Sequence, residues 1–230
     1  MKNAYLSGAG HLAAVAALSF VVTSATAMEG NPLFSATRIE VDTGRASGSK
    51  SIQAGRAEGW IGGDYHRFVW KAEATREAGR LDDAEVQALY GRYLAPFWEL
   101  QTGLRFQGKP ESHTYAALGV RGLAPYAFDV DLALFVRSDG KVFARTRAEY
   151  DLLWTNRLIC RPFVFADWSG SNIRVEDTRR GVETYEVGIN TRYEITRAFA
   201  PYIEVAHSKR YALGASNSSS SVRLGIRLLF

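Results

Sequence analysis

Apolar and polar side chains alternate with a period of two in stretches longer than a soluble strand needs, and the alternation persists to the last residue. One hairpin shows it most clearly. Phe128, Val130, Leu132, Leu134 and Val136 fall on one face of a strand, and Asp129, Asp131, Ala133 and Arg137 fall on the other. Ser138-Asp139-Gly140-Lys141 follows, and its Asp-Gly step supplies the positive φ of a tight turn. Val142, Ala144, Thr146, Ala148, Tyr150, Leu152 and Trp154 then alternate with Arg145, Arg147, Glu149 and Asp151. Both arms exceed the roughly 5–6 residues usual in soluble strands. They match the ~9–11 residues that cross a bilayer at a tilt.

Similar alternation surrounds Phe68–Thr75, Ala84–Tyr90, Trp98–Phe106, Tyr115–Arg121 and Tyr185–Tyr193, and less regularly Leu33–Thr43, Ile52–Gly62, Leu158–Trp168 and Tyr202–Leu213. With a final Val222–Phe230 strand the expectation is an all-β fold, a transmembrane antiparallel β-barrel of twelve strands. Leu94-Ala95-Pro96-Phe97, Leu123-Ala124-Pro125-Tyr126 and Phe199-Ala200-Pro201-Tyr202 read as three copies of one proline turn. With Gly62-Gly63 and Thr155-Asn156-Arg157 they predict five short turns at one rim. The polar stretches Gly44–Lys50, Gln107–Ser112, Ser169–Gly181 and Gly214–Ser221 predict longer loops at the other. Trp60, Phe97, Trp98, Tyr126, Trp154, Tyr193, Phe199 and Tyr202 sit near the short turns, where an interfacial girdle belongs. Phe230 ends the chain after Val222, Leu224, Ile226 and Leu228 in alternation, a pattern similar to the C-terminal signal read by the outer-membrane assembly machinery.

Composition narrows the remaining classes. A chain of 230 residues with 12% aromatics is not disordered, and one cysteine excludes an intrachain disulfide framework. The formal charge of +4 comes from basic residues interleaved with acidic ones, so no nucleic-acid partner is expected. Residues 1–27 read as a secretory signal: Lys2, an apolar run from Leu12 to Val22, then Ala25-Thr26-Ala27. The barrel is therefore expected over residues 28–230, in the outer membrane of a Gram-negative bacterium, with outer-membrane lipid and lipopolysaccharide as surroundings.

Asp83-Ala84-Glu85-Val86-Gln87-Ala88-Leu89-Tyr90, Leu94-Ala95-Pro96-Phe97-Trp98-Glu99-Leu100-Gln101 and Ala148-Glu149-Tyr150-Asp151-Leu152-Leu153 resemble the barrel of the copper resistance protein B family, as do Gly59–Tyr65 and Phe199–Tyr202. The resemblance runs from about Arg56 to Phe230. It implies an outer-membrane protein of copper tolerance and copper ion homeostasis, in which copper ion is bound, sequestered or exported, with a periplasmic copper protein as a candidate partner. Longer members carry a Met- and His-rich segment before the barrel. Here residues 31–50 contain no histidine, and Met28 is the only methionine after the signal.

Two sets of side chains are candidates for function. His66, His113 and His207 are weak candidates for metal ligands, with ordinary surface histidines as the plainer reading; Cys160 is expected to face lipid as an inert thiol. Glu73, Glu85, Asp129, Asp131, Arg145, Arg147, Glu149 and Asp151 are expected to point into the lumen, either as a salt-bridge network that fills it or as a polar path with weak cation affinity. Carboxylates are hard ligands, so copper selectivity from them alone would be poor. An enzyme is not expected. An outer-membrane lipase would need a nucleophile and base held together, and Ser112 and His113, as neighbours in a strand, point to opposite faces. A passive structural or adhesive barrel is the remaining alternative.

Overall fold

The computed structural model describes residues 33–230 apart from 174–176 and 215. The signal expected over residues 1–27 lies outside the described residues. The strands, in chain order, are β1 (Phe34–Ala46), β2 (Lys50–Gly62), β3 (His66–Glu77), β4 (Arg80–Ala95), β5 (Trp98–Lys109), β6 (His113–Ala124), β7 (Phe128–Arg137), β8 (Val142–Tyr150), β9 (Leu152–Leu153), β10 (Leu158–Ser169), β11 (Gly181–Tyr193), β12 (Phe199–Tyr211) and β13 (Ser216–Leu229). Each pairs antiparallel with its neighbours, and β1 pairs with β13, so the sheet closes on itself. The two-residue β9 continues the line of β8 past Asp151 and pairs with β10 at Leu153↔Ile159 and Leu152↔Cys160. Counted as one stave, β8 and β9 make a closed twelve-stranded barrel, as the alternation predicts.

Closure satisfies the backbone groups that an open edge would leave unpaired in lipid. The last residue takes part: Thr37 and Phe230 exchange two backbone hydrogen bonds of 2.9 Å. Both ends of the barrel therefore lie at one rim, with the five turns that follow β2, β4, β6, β9 and β11. In the β7–β8 hairpin Gly140 adopts φ 84°, and Arg137 and Lys141 hold the Asp139 carboxyl well below the usual carboxylate range, the Arg137 hydrogen bond being the largest cause.

The register sorts side chains as the sequence predicts. Leu132, Leu134 and Val136 are half exposed on the outer wall, while Phe135 and Arg137, of the opposite parity, are buried inside. Buried Val69, Leu89, Tyr115, Ala117 and Phe135 form an apolar cluster across the lumen, with Trp60, Ala133 and Phe143 packed on it. The Tyr115 ring meets Phe135 and Phe143 edge to face at 6.4 and 5.6 Å. An apolar core inside this barrel is the main departure from a lumen of charges alone.

Four local expectations are corrected. Phe199-Ala200-Pro201-Tyr202 is not a turn; it lies inside β12, where Pro201 pairs with Ile226. Proline is tolerated there because the β11 pairing begins only at Tyr202, so no ladder donor is lost on that side. Most of the expected long loops are short, because β5 runs through Lys109 and β13 begins at Ser216; only the connection between Ser169 and Gly181 is long. Trp60 and Tyr202 point into the lumen and not to an outer girdle: Arg67 stacks 4.3 Å over the Trp60 ring, and the Tyr202 hydroxyl donates to Asp42 at 3.0 Å. Finally, the strand expected from Val142 to Trp154 breaks at Asp151.

Candidate functional site

The lumen is where the chain concentrates its charge, because each strand sends every second side chain inward and the outer wall must stay apolar. All eight sequence-predicted lumen residues face it, but they do not meet in one cluster. Glu85 lies between Arg105 and Arg145, at 2.5 and 2.7 Å, and Arg145 reaches on to Asp167 at 2.9 Å. Arg105 stacks 4.6 Å over Phe135, so this ionic group rests on the aromatic core. Glu73 joins Arg56 at 3.0 Å and Arg147 at 3.6 Å. Asp131 takes Lys71 at 2.6 Å. Glu149 and Asp151 share Arg161, at 3.0 and 2.5 Å, and Arg192 adds a second contact to Asp151 at 2.7 Å. Asp129 is different: nearly half exposed, it has only a 3.7 Å contact with Arg121, which is already committed to Glu58.

Several members of this network escape a first reading of the sequence. Lys71 and Glu58 reach across the lumen, to Asp131 and Arg121, whereas Arg38, Arg56, Arg161, Arg192 and Arg223 tie together adjacent or next-but-one staves of one wall. Arg223 contacts Glu186 at 2.8 Å and also Glu204. Tyr202 can reach Asp42 because Gly225 stands beneath its ring; a Cβ there would lie 2.4 Å from the phenol carbon. The signal that finds these residues is parity alone, carried from clear strands into irregular ones. Phe135 and Phe143 also have inward parity, and a reading keyed to charge passes over them.

The histidines do not converge. His66 sits near the terminal rim, stacked on Tyr90 and hydrogen-bonded to its hydroxyl. His113 lies at the other rim, 3.4 Å from Glu111 and edge-on to Tyr115. His207 is on the outer face, bonded to Ser220 at 2.9 Å. Cys160 has the outward register expected of it and takes a weak contact from Thr191 at 3.8 Å. Among the described residues no group of three or more His, Cys, Asp or Glu is arranged to hold a metal ion.

Among the cavities between the described side chains are these two. The larger, about 620 Å³, opens at the terminal rim and is walled by residues of β1 to β7, the adjoining turns and Leu229 of β13, among them Trp60, Tyr65 and Tyr93. The smaller, about 220 Å³, runs among the ion pairs of Arg56, Arg145, Arg161 and Arg223.

Comparisons with known proteins agree with this architecture. The model of a family described as copper resistance protein B precursor (CopB) matches residues 34–230. The chain is 40% identical over 153 residues to copper resistance protein B of Escherichia coli, covering 66% of this chain and 52% of that protein. It is 40% identical over 154 residues to a copper resistance protein B homolog of Pseudomonas syringae pv. tomato, with 66% and 52% covered. The chain thus spans about half the length of the curated relatives it matches. Among solved structures, the NanC porin superposes with a TM-score of 0.59 at 14% identity, covering 83% of this chain and 98% of that one. The protein is an outer-membrane barrel of a Gram-negative cell, and by the general build of even-stranded barrels the rim that holds both chain ends faces the periplasm.

Proposed function

The chain belongs to the copper resistance protein B family, and from that premise we propose that its barrel contributes to copper tolerance as a non-enzymatic outer-membrane component. Copper ion is the cargo, and the lumen handles it weakly, through electrostatic attraction by carboxylates and without a high-affinity cage. The observation that carries this reading is the disposition of ligands: the three histidines lie apart, while the lumen holds Asp129 half exposed and loosely paired. A carboxylate at such a mouth raises the local concentration of cations without selecting copper by ligand softness.

A passive barrel is the second reading, favoured by the arginines that already occupy Glu73, Glu85, Glu149 and Asp151. Complementation of a deletion strain separates the two. With equal membrane levels, a His66/His113/His207→Ala variant should restore copper tolerance, and an Asp129/Asp131→Asn variant should restore it only partly. Loss of tolerance in the histidine variant alone would refute the carboxylate mechanism. A deletion strain as copper tolerant as its parent would remove the copper reading and leave the passive barrel.

A further inference from the structure

The large cavity at the periplasmic rim has a composition that the ion-pair network does not explain. Its volume of about 620 Å³ falls in the range of pockets that hold small organic ligands, ~300–1,000 Å³. Aromatic residues contribute to its wall, namely Trp60, Tyr65 and Tyr93, with Tyr65 and Tyr93 packed edge to face at 5.9 Å. Three guanidiniums and four carboxylates line it, namely Arg38, Arg67 and Arg121 against Glu58, Asp64, Glu99 and Asp129. Each guanidinium has a carboxylate contact. Arg38 and Arg121 both bind Glu58, at 2.7 and 3.3 Å, and Arg67 lies 3.6 Å from Glu99 and stacks on Trp60. Glu99 also accepts a hydrogen bond from Gln101 at 2.8 Å. Glu58 and Glu99 are thereby satisfied. Asp64 has no partner among the described residues, and Asp129 has only its 3.7 Å contact with Arg121.

We propose that this vestibule is a binding site for small organic cations, of the amine or guanidinium class, entering from the periplasm. Asp64 and Asp129 leave the lining with one carboxylate more than its guanidiniums, and the aromatic walls supply faces on which a weakly hydrated cation is held by the ring quadrupole. Arg67 on Trp60 shows that the wall already accepts one guanidinium in this manner. An inorganic cation is the poorer fit, because no three ligating side chains converge in the vestibule. An anion is the poorer fit as well, since carboxylates outnumber guanidiniums in the lining and the two loosely held groups are acidic. This site stands apart from the copper reading: it requires no metal, and it is tested by binding and not by tolerance.

Calorimetric titration of the folded, detergent-solubilised full chain with spermidine decides it, with glutarate as the anionic counterpart of similar size. Saturable spermidine binding that weakens as salt is added, and no glutarate binding, is the expected result. An Asp64→Asn/Asp129→Asn variant should bind spermidine about tenfold or more weakly, which is ~1.4 kcal/mol, while Asp82→Asn at the opposite rim should bind as the parent does. Absence of saturable spermidine binding, or glutarate binding of equal strength, would overturn the proposal in the unaltered protein, whether or not the variant folds. Equal affinity of a folded double variant would overturn the assignment to this vestibule.

Discussion

Between β3 and β8 the lumen is filled by Val69, Leu89, Tyr115, Phe135 and Phe143, whereas from β10 round to β1 it is filled by Arg161, Arg192, Glu204, Arg223 and Asp42. The outer wall does not register this change, since both sides present the same apolar stripe to lipid. On the first side the charged groups are the most deeply buried and rest on rings, as Arg105 does on Phe135. On the second they meet one another around the smaller cavity. Ring packing is indifferent to salt and pH; ion pairs with some access to water are not. The contrast assigns rigidity to one side of the barrel and sensitivity to conditions to the other.

The largest effect is expected where the apolar side is hollowed out. Phe135 is 1% exposed, and Phe135→Ala should cost roughly 3–5 kcal/mol in urea unfolding of the vesicle-reconstituted barrel. A loss no larger than that from cutting an ion pair on the other side would erase the contrast.

Leu132→Arg, one layer outward, should cost about 2–4 kcal/mol, because it puts a charge into lipid near mid-membrane. Asp131→Asn, its inward neighbour, should keep the folded form's heat-modifiable gel mobility. Equal tolerance of both would mean that the register is displaced by one residue.

On the ionic side the expected cost is smaller. Arg161→Gln leaves Glu149 without its 3.0 Å partner, but Arg192 still holds Asp151, so about 1–3 kcal/mol should be lost in the same assay. Adding Glu149→Gln should recover part of it. A double variant less stable than the sum of both singles would show that the network is not pairwise and would sharpen the contrast. The pair of Lys50 and Glu77, exposed at the outer rim at 2.9 Å, marks the lower limit: Glu77→Gln should leave the unfolding midpoint unchanged within error.

Legibility followed the strength of the local pattern. In the β7–β8 hairpin the outer face from Phe128 to Val136, the charged inward positions and the Asp-Gly turn were readable, because lipid on one side and charge on the other leave those positions a single choice. Where a strand sends an apolar residue inward, as at Phe135 and Phe143, the binary code falls silent and the core goes unseen. Pro201 misled for a related reason: Ala-Pro-aromatic makes a turn after β4 and after β6, but at β12 the strand starts two residues earlier and absorbs it. The inward direction of Asp129 and Glu149 was legible, but their partners were not.

The alternation of the sequence by itself determined that this chain closes into a barrel, which residues face lipid, and that charge goes inside, because a bilayer penalises every polar group left on its side of the wall. Only the tertiary structure decided who meets whom within. Lys71 reaches Asp131 and Arg145 reaches Glu85 across 60 positions of chain, and Arg121 reaches Glu58 across 63. Those distances are set by strand tilt and by the closing register of β1 on β13, from Arg38↔Leu229 to Ala46↔Ser221. Neither is written in any local stretch of sequence, because closure is a property of all the staves at once.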